Sequence, residues 1–342
     1  MKANEYWIQQ KSQDGSTYEI RILAVIPEHQ ILGYLQIVHD MYDTISRYQD
    51  VMKQIAKSGY LVFGHDMVGH GKSANGNYGK MGHVNVDNLI DDIHDVYLKI
   101  LKKYPPNLDP IVFHHSNGKN MQFIRPQLHG MIGIGAGCAL IRASISKYKD
   151  FNAVLMIGDP GFRGLYQETL HHAKRKGWPE SQTQLIHEWN EGTKANNNTS
   201  YRNSYRFINK QKIREANADD SINFMYDHES FLLWMSLLTQ YSLSQWMTIH
   251  PKYLPLYEMS GYLDPINNFT REIDNILEHF KKSACKNIYY RYYENRRHDI
   301  LLDDKNQEVI KNLIYFFNRI NEELIKQYNI QKEMLKKRGW MK

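Results

Sequence analysis

An α/β fold on a largely parallel sheet, with an all-helical segment inserted between two of its strands, is what this sequence predicts. Two observations carry the prediction. Between residues 19 and 113, and again from about 249, short apolar runs alternate with amphipathic stretches, the pattern of a sheet covered by helices. From about 162 to 248 the chain instead becomes rich in Asn, Gln, Tyr and Trp and holds helical pieces without a convincing strand. A length of 342 residues suits one large domain carrying such an insertion.

Taken in order, "YEIRILAVI" and "LGYLQIVHD" read as strands, and "RYQDVMKQIAKSG" as a helix that Gly59 is suited to end. "YLVFGHD" is the next strand. The long amphipathic helix "VDNLIDDIHDVYLKILKKY" then gathers Val86, Leu89, Ile90, Ile93, Val96, Tyr97, Ile100 and Leu101 on one side. "DPIVFHH" reads as a further strand of the sheet, "ALIRASISKY" as a helix and "FNAVLMIGDPG" as a strand. "YQETLHHAKRKG" and "ESFLLWMSLLTQYS" are helical pieces of the insertion. After it come the strands "YLPLYEMSG" and "NIYYRYYEN", with "FTREIDNILEHFKKS" between them, and a basic helical tail over 321–342. The expected organisation is a core of 1–161 and 249–320, a helical cap at 162–248, and that tail.

Composition narrows the function classes. Hydrophobic residues make up 42% and charged residues 23%, as in globular proteins, and the mean hydropathy is −0.60. No run approaches the roughly 18 apolar residues of a membrane span, and the amino-terminal stretch lacks the apolar segment of a signal peptide, so a cytoplasmic protein is expected. Cys138 and Cys285 form no disulfide framework or zinc spacing. The net charge of +6 is spread along the chain without a nucleic-acid motif, so no nucleic-acid partner is expected.

Four segments carry a resemblance. "GHDMVGHGKSA" at 64–74 is similar to a D-x-x-G-H-G-x-S turn, and "VHDMYDTISRYQD" at 38–50 to an H-G-M-x-E-H-x-x-R-Y segment. "MSGYLDPI" is similar to the S-G-x-x-D-P-V turn and "YENRRHDIL" to the G-x-R-H-E turn. Over about residues 15–320 the chain thereby resembles the monoacylglycerol lipase and lysophospholipase group, serine aminopeptidase-like members of the α/β-hydrolase fold. The resemblance implies Asp264 as the catalytic acid and His298 as the base, following the nucleophile in chain order. It also implies one oxyanion donor from the backbone of Met41 and a second from the residue after the nucleophile.

The nucleophile is the open question. In "MIGIGAGCAL" at 131–140 the G-x-S-x-G spacing is present, but Gly135 stands in the serine's position, with Ala136 next as oxyanion donor. In "PIVFHHSNG" a serine is present, Ser116, with Asn117 as the corresponding donor, but His114 replaces the first small residue of the turn. Strand and helix must approach closely at such a turn, so small flanking residues favour Gly135 as the structural elbow, and "GCALIRASISKY" continues from it in register. Cys138 and Ser144 lie beyond the turn on the following helix. Residues 114–130 are extra relative to the family, either behind a working Ser116 or looped out ahead of Gly135. In addition, the family's H-G-M has become His39-Asp40-Met41, setting a carboxylate beside the oxyanion site.

Two functions follow. With a nucleophile, the resemblance implies hydrolysis of a lipid monoester such as a monoacylglycerol or lysophospholipid by a Ser-Asp-His mechanism, for which no metal or organic cofactor is expected. Without one, the expectation is a hydrolase-like protein that binds a lipid or a partner. Trp178, Trp189, Trp234 and Trp246 of the cap read as packing core ahead of an acyl pocket. Lys326, Lys332, Lys336, Lys337, Arg338 and Trp340 give the tail a route to transient contact with an anionic membrane surface, as the cap also could, although a solvated or frayed helix is the simpler reading. Acyl length, head group and oligomeric state stay open.

Overall fold

A computed structural model describes residues 1–106, 111–114, 120–123, 126–161, 164–191, 202–241, 251–282, 285 and 287–338. In chain order its first half runs β1 (Ala3–Lys11), β2 (Thr17–Val25), β3 (Gly33–Val38), α1 (Gln49–Ala56), β4 (Tyr60–His65), α2 (Val86–Lys103), β5 (Ile111–His114), β6 (Asn120–Phe123), β7 (Leu128–Ile134), α3 (Gly137–Lys147) and β8 (Ala153–Ile157). The insertion follows with α4 (Leu165–Lys176), α5 (Trp178–Glu191), α6 (Lys210–Asn217) and α7 (His228–Tyr241). The chain returns to the core through β9 (Leu256–Gly261), α8 (Arg271–Lys282), β10 (Ile288–Tyr293) and α9 (Gln307–Lys337).

The main sheet has eight strands in the order β1-β2-β4-β3-β7-β8-β9-β10. From β4 to β10 neighbours are parallel, while β1 and β2 add antiparallel at one edge. Every residue of β3, β4, β7 and β8 is buried, which is why these segments read as continuous apolar runs. One face is covered by α1 and α9 through residues such as Met52, Ile55, Leu313 and Phe317. The other is covered by α2, α3 and the insertion. A reciprocal capping box of Asn85 and Asn88 fixes the start of α2. The chain is thus an α/β-hydrolase fold.

Three features depart from the sequence reading. β1 had no place in it, because its polar "NEYWIQQK" puts only alternate residues, Tyr6 and Ile8 among them, toward the core of an edge strand. The strand within "DPIVFHH" exists as β5 but pairs only with β6, in a separate antiparallel hairpin that sets His114 opposite Asn120. The place between β3 and β8 is filled by β7, which leads into Gly135, while 115–119, where Ser116 falls, and 124–125 lie outside the described residues. Finally, no break separates core from tail at 320, since α9 runs through it with no Gly or Pro from 307 to 337.

The insertion is helical throughout its described regular elements and is tied to the loops at the carboxyl ends of the strands. Between α5 and α6, the carbonyls of Tyr205 and Arg206 accept the N–H groups of His298 and Asp299, at 3.3 and 3.1 Å. Arg206, fully buried, donates to both oxygens of Asp299 (3.0 and 3.2 Å) and to the carbonyl of Tyr42 (2.6 Å). Arg47 bridges Asp43 and Asp299 at 2.9 and 3.3 Å, and the Tyr48 hydroxyl donates to Asp43 at 2.6 Å. Two guanidinium groups and two carboxylates therefore balance inside the protein, and removing one leaves uncompensated buried charge. Arg206→Met is expected to lower the free energy of unfolding by about 3–5 kcal/mol in urea titrations followed by circular dichroism. Arg291→Met, which breaks the half-exposed pair with Glu308, should cost less than about 1 kcal/mol.

Candidate functional site

β7 ends at Ile134 and α3 begins at Gly137, so Gly135 occupies the strand-to-helix turn, at a φ of +53°. Its N–H donates to the carbonyl of Ile157 at 2.9 Å, and its own carbonyl accepts from Cys138 at 3.0 Å. The flanking glycines stand where backbones approach. A Cβ on Gly133 would come within 2.9 Å of Ile141, and one on Gly137 within 2.7 Å of the His39 carbonyl.

Asp264 and His298 lie on the loops after β9 and β10, two adjacent parallel strands, and hence at the same edge of the sheet. His298 Nδ1 and Asp264 Oδ2 are 2.8 Å apart. Asp264 is fixed by the N–H of Ile266 on Oδ1 (2.9 Å) and by the Asn267 amide on Oδ2 (3.1 Å). The end of β8 passes beneath them at Gly158, where a Cβ would press to 2.8 Å against the His298 ring.

The other side of His298 faces Asp40. Its Nε2 lies 3.4 Å from Asp40 Oδ2, a charge contact without hydrogen-bond geometry, and has no hydrogen-bond partner. Asp40 Oδ1 accepts two backbone hydrogen bonds, from the N–H of Met41 at 2.8 Å and that of Ala136 at 2.7 Å. These are the two donors expected to form an oxyanion hole, and both converge on one carboxylate oxygen. A Cβ built on Gly135 would fall inside the same carboxyl group, 2.8 Å from Oδ2 and nearer still to Cγ and Oδ1. The carboxylate of Asp40 thus fills the space of a side chain at 135 and the oxyanion cradle together.

The charges follow from this geometry. Burial alone would raise the carboxyl of Asp40, but contact with His298, the charge of Arg206 and the Ala136 N–H bring it down to about 2. Burial alone would favour neutral His298, but the carboxylates of Asp264 and Asp40 push it well above its usual range. Neighbouring groups fix the loop. His39 Nε2 accepts from the N–H of Met67 at 3.1 Å, so its Nδ1 is the donor to the Asp40 carbonyl at 2.7 Å. Asp66 of "HDMVGHGKS" accepts the N–H groups of Ile45 (2.9 Å) and Lys72 (3.0 Å) and pairs with Arg21 (3.1 Å), tying that turn to the Asp40 loop.

The insertion closes over these groups. Tyr226 donates to the carbonyl of Met41 and contacts His70 Nε2 at 2.6 Å, while the Tyr42 hydroxyl donates to Gln182 at 2.6 Å. Tyr205 stacks obliquely near His298, with ring centroids 5.9 Å apart. Trp189 and Trp234 are buried among Tyr42, Tyr205, Tyr226 and His70, and so serve as packing core. His298 is 1% exposed and Asp40 4%. Cys138 and Ser144 are buried on α3; burial pushes the Cys138 thiol far up, and the Ser144 hydroxyl donates to the Leu140 carbonyl at 2.9 Å. Ser116, Asn117 and Trp246 lie outside the described residues. Arg206, Tyr205 and Tyr226 were missed in the sequence, since they sit in an aperiodic polar stretch in which Arg206 is one charge among several. Among the described residues no cluster of His, Cys, Asp and Glu is arranged to hold a metal, and no helix is long and apolar enough to cross a membrane.

Comparison with known proteins agrees with this architecture. The family model of serine aminopeptidase S33 matches residues 29–305. A thermostable carboxyl esterase from Bacillus coagulans superposes with a TM-score of 0.77 at 19% identity, over 93% of this chain and 99% of its own. A soluble variant of monoglyceride lipase from Saccharomyces cerevisiae gives 0.62 at 13% identity, covering 92% of this chain and 94% of its own. The monoacylglycerol lipase of Paleococcus ferrophilus gives 0.59 at 12%, covering 93% and 99%. No match is found among the curated proteins. With four-fifths of its length matched by the family model and the acid and base turns converging at one sheet edge, the chain belongs to the serine aminopeptidase S33 family of α/β-hydrolases.

Proposed function

We propose that this chain is a hydrolase-family binding protein in which serine acyl transfer has been replaced by a buried ion pair, with a lipid monoester or an acyl-bearing partner as its ligand class. One observation carries the reading: the Asp40 carboxylate lies where a side chain at 135 would stand and accepts both oxyanion-hole hydrogen bonds. Each role of the expected mechanism is then blocked. Position 135 offers no hydroxyl. The two N–H donors are already satisfied by an anion, so they add nothing to a developing alkoxide. His298 turns its Nε2 toward a second carboxylate, and the two carboxylates beside it favour its protonated form, which is a poor proton acceptor. The ligand class rests on the family and on the carboxyl esterase and monoglyceride lipase folds it resembles.

The rival reading, an active lipid-monoester hydrolase using Ser116, predicts the opposite in a simple assay. The wild-type protein is expected to turn over p-nitrophenyl butyrate and monoacylglycerol no faster than buffer, and Ser116→Ala to change nothing. Gly135→Ser alone should gain little, because its side chain meets the Asp40 carboxyl. Asp40→Gly together with Gly135→Ser clears that space and frees both donors, so hydrolysis should rise at least tenfold above either single variant, non-additively. Robust wild-type turnover that disappears in Ser116→Ala, with Ser116 labelled by a fluorophosphonate, would overturn the proposal.

The ion pair makes a pH prediction of its own. Asp40 is depressed from 3.8 to about 2, so its contribution to stability is complete above about pH 4 and is lost as the pH falls through 2. His298 is raised, so its contribution is complete below about pH 6.5 and is lost as the pH rises through the raised value. Between those limits the pair contributes in full. Imidazole NMR should therefore find His298 still protonated in mildly alkaline buffer, and Asp40→Asn should move its titration to lower pH. An unchanged midpoint in Asp40→Asn would mean that Asp264 alone sets the charge of His298.

A further inference from the structure

The carboxyl-terminal half of α9 carries a surface that the fold does not use. Leu324 and the buried Tyr328 turn inward, while Ile330 and Met334 on another face are 47% and 56% exposed. Two neighbouring i, i+4 rows, Glu322-Lys326-Ile330-Met334 and Ile325-Asn329-Glu333-Lys337, border a groove lined, among the described residues, by α9. Such rows are the ridges that pack into the groove of a second helix.

The order of side chains along these rows selects the occupant. Laid antiparallel against itself about a two-fold axis between Asn329 and Ile330, the stripe opposes Glu322 to Lys337, Ile325 to Met334, Lys326 to Glu333 and Asn329 to Ile330. Every charge meets its opposite and each outer apolar residue meets another. Because a two-fold contact is isologous, each pairing occurs twice. A parallel arrangement would instead set Glu322 on Glu322 and Lys337 on Lys337. An anionic membrane fits less well, since Glu333 stands between Ile330 and Met334 and Glu322 begins the stripe.

From this complementarity we infer that a second copy of this chain docks on α9, the two helices crossing antiparallel about Asn329 and Ile330. The rows span about 22 Å of helix, a patch smaller than the roughly 800 Å² per partner of a standard interface, so dissociation constants on the order of 10–100 μM are expected. The contact is remote from Asp40 and His298, so it stands or falls independently of the proposed function.

Sedimentation equilibrium of the full chain across that range tests it. The wild type is expected to dimerise reversibly. Lys326→Glu and Glu333→Lys should each weaken dimerisation about tenfold or more, because each creates two like-charge contacts. An equimolar mixture of these two variants should recover dimers, and so should the double variant in one chain. Contacts within the helix cannot account for that recovery. The swap puts a carboxylate at position 326, four residues after Glu322, and an ammonium at position 333, three before Lys336, with which Glu333 otherwise pairs at 3.0 Å. A wild type that stays monomeric to roughly 1 mM would overturn the inference. So would dimers indifferent to Lys326→Glu, a mixture that fails to recover them, or a monomer that instead co-sediments with phosphatidylserine vesicles through Ile330.

Discussion

The arrangement of the site depends on one contact, the Asp40 carboxylate held by the N–H groups of Met41 and Ala136. Those two donors come from different parts of the chain, the loop after β3 and the turn after β7. An anion shared between them ties the two loops together as an oxyanion would, but permanently. The same carboxylate sets the charge of His298 from one side while Asp264 sets it from the other. Two carboxylates around one imidazolium leave an excess negative charge, and Arg206 lies close enough to lower Asp40 further. The site is therefore an electrostatic unit whose members are each stable only in the presence of the others.

That unit explains how the insertion can sit so tightly on the strand ends. In an acyl-transfer enzyme the groups above the nucleophile must admit a substrate. Here the Tyr226 hydroxyl donates to the Met41 carbonyl, on the same residue whose N–H holds Asp40, and Arg206 ties Tyr42 to Asp299 beside His298. The aromatic residues between them pack on one another, with Tyr42 touching Trp189, Phe224 and Tyr226. Burial of these rings raises the electrostatic strength of every ion pair beneath them, because little water remains to screen it.

Much of this was legible in the sequence. Continuous apolar runs marked the central strands, the Asp-Pro and Arg-His-Asp turns placed Asp264 and His298, and the small residues at 133, 135 and 137 marked the strand-to-helix turn. The presence of Asp40 beside the anion site was also readable. What could not be read was where its side chain would go. A carboxylate next to an oxyanion hole can turn away, and only the distance between two loops far apart in sequence decides that it turns in. The hairpin of β5 and β6 escaped for a related reason: a short apolar run looks the same in a central strand and in an isolated pair. Arg206 escaped because long-range ion pairing has no local periodicity.

Gly135 and Asp40 depend on one another sterically and electrostatically. With Asp40 in place, a side chain at 135 would overlap its carboxyl group. With a glycine at both positions, the Met41 and Ala136 N–H groups would be left buried without an acceptor, at a cost of roughly 1–3 kcal/mol each, and the His298 imidazolium would lose one counterion. Each residue removes the penalty the other would create. Around a position with no hydroxyl, His298 thus stands between two carboxylates, Asp264 at 2.8 Å on Nδ1 and Asp40 at 3.4 Å from Nε2, so the geometry of the pair is tied to the same contact that holds the two loops.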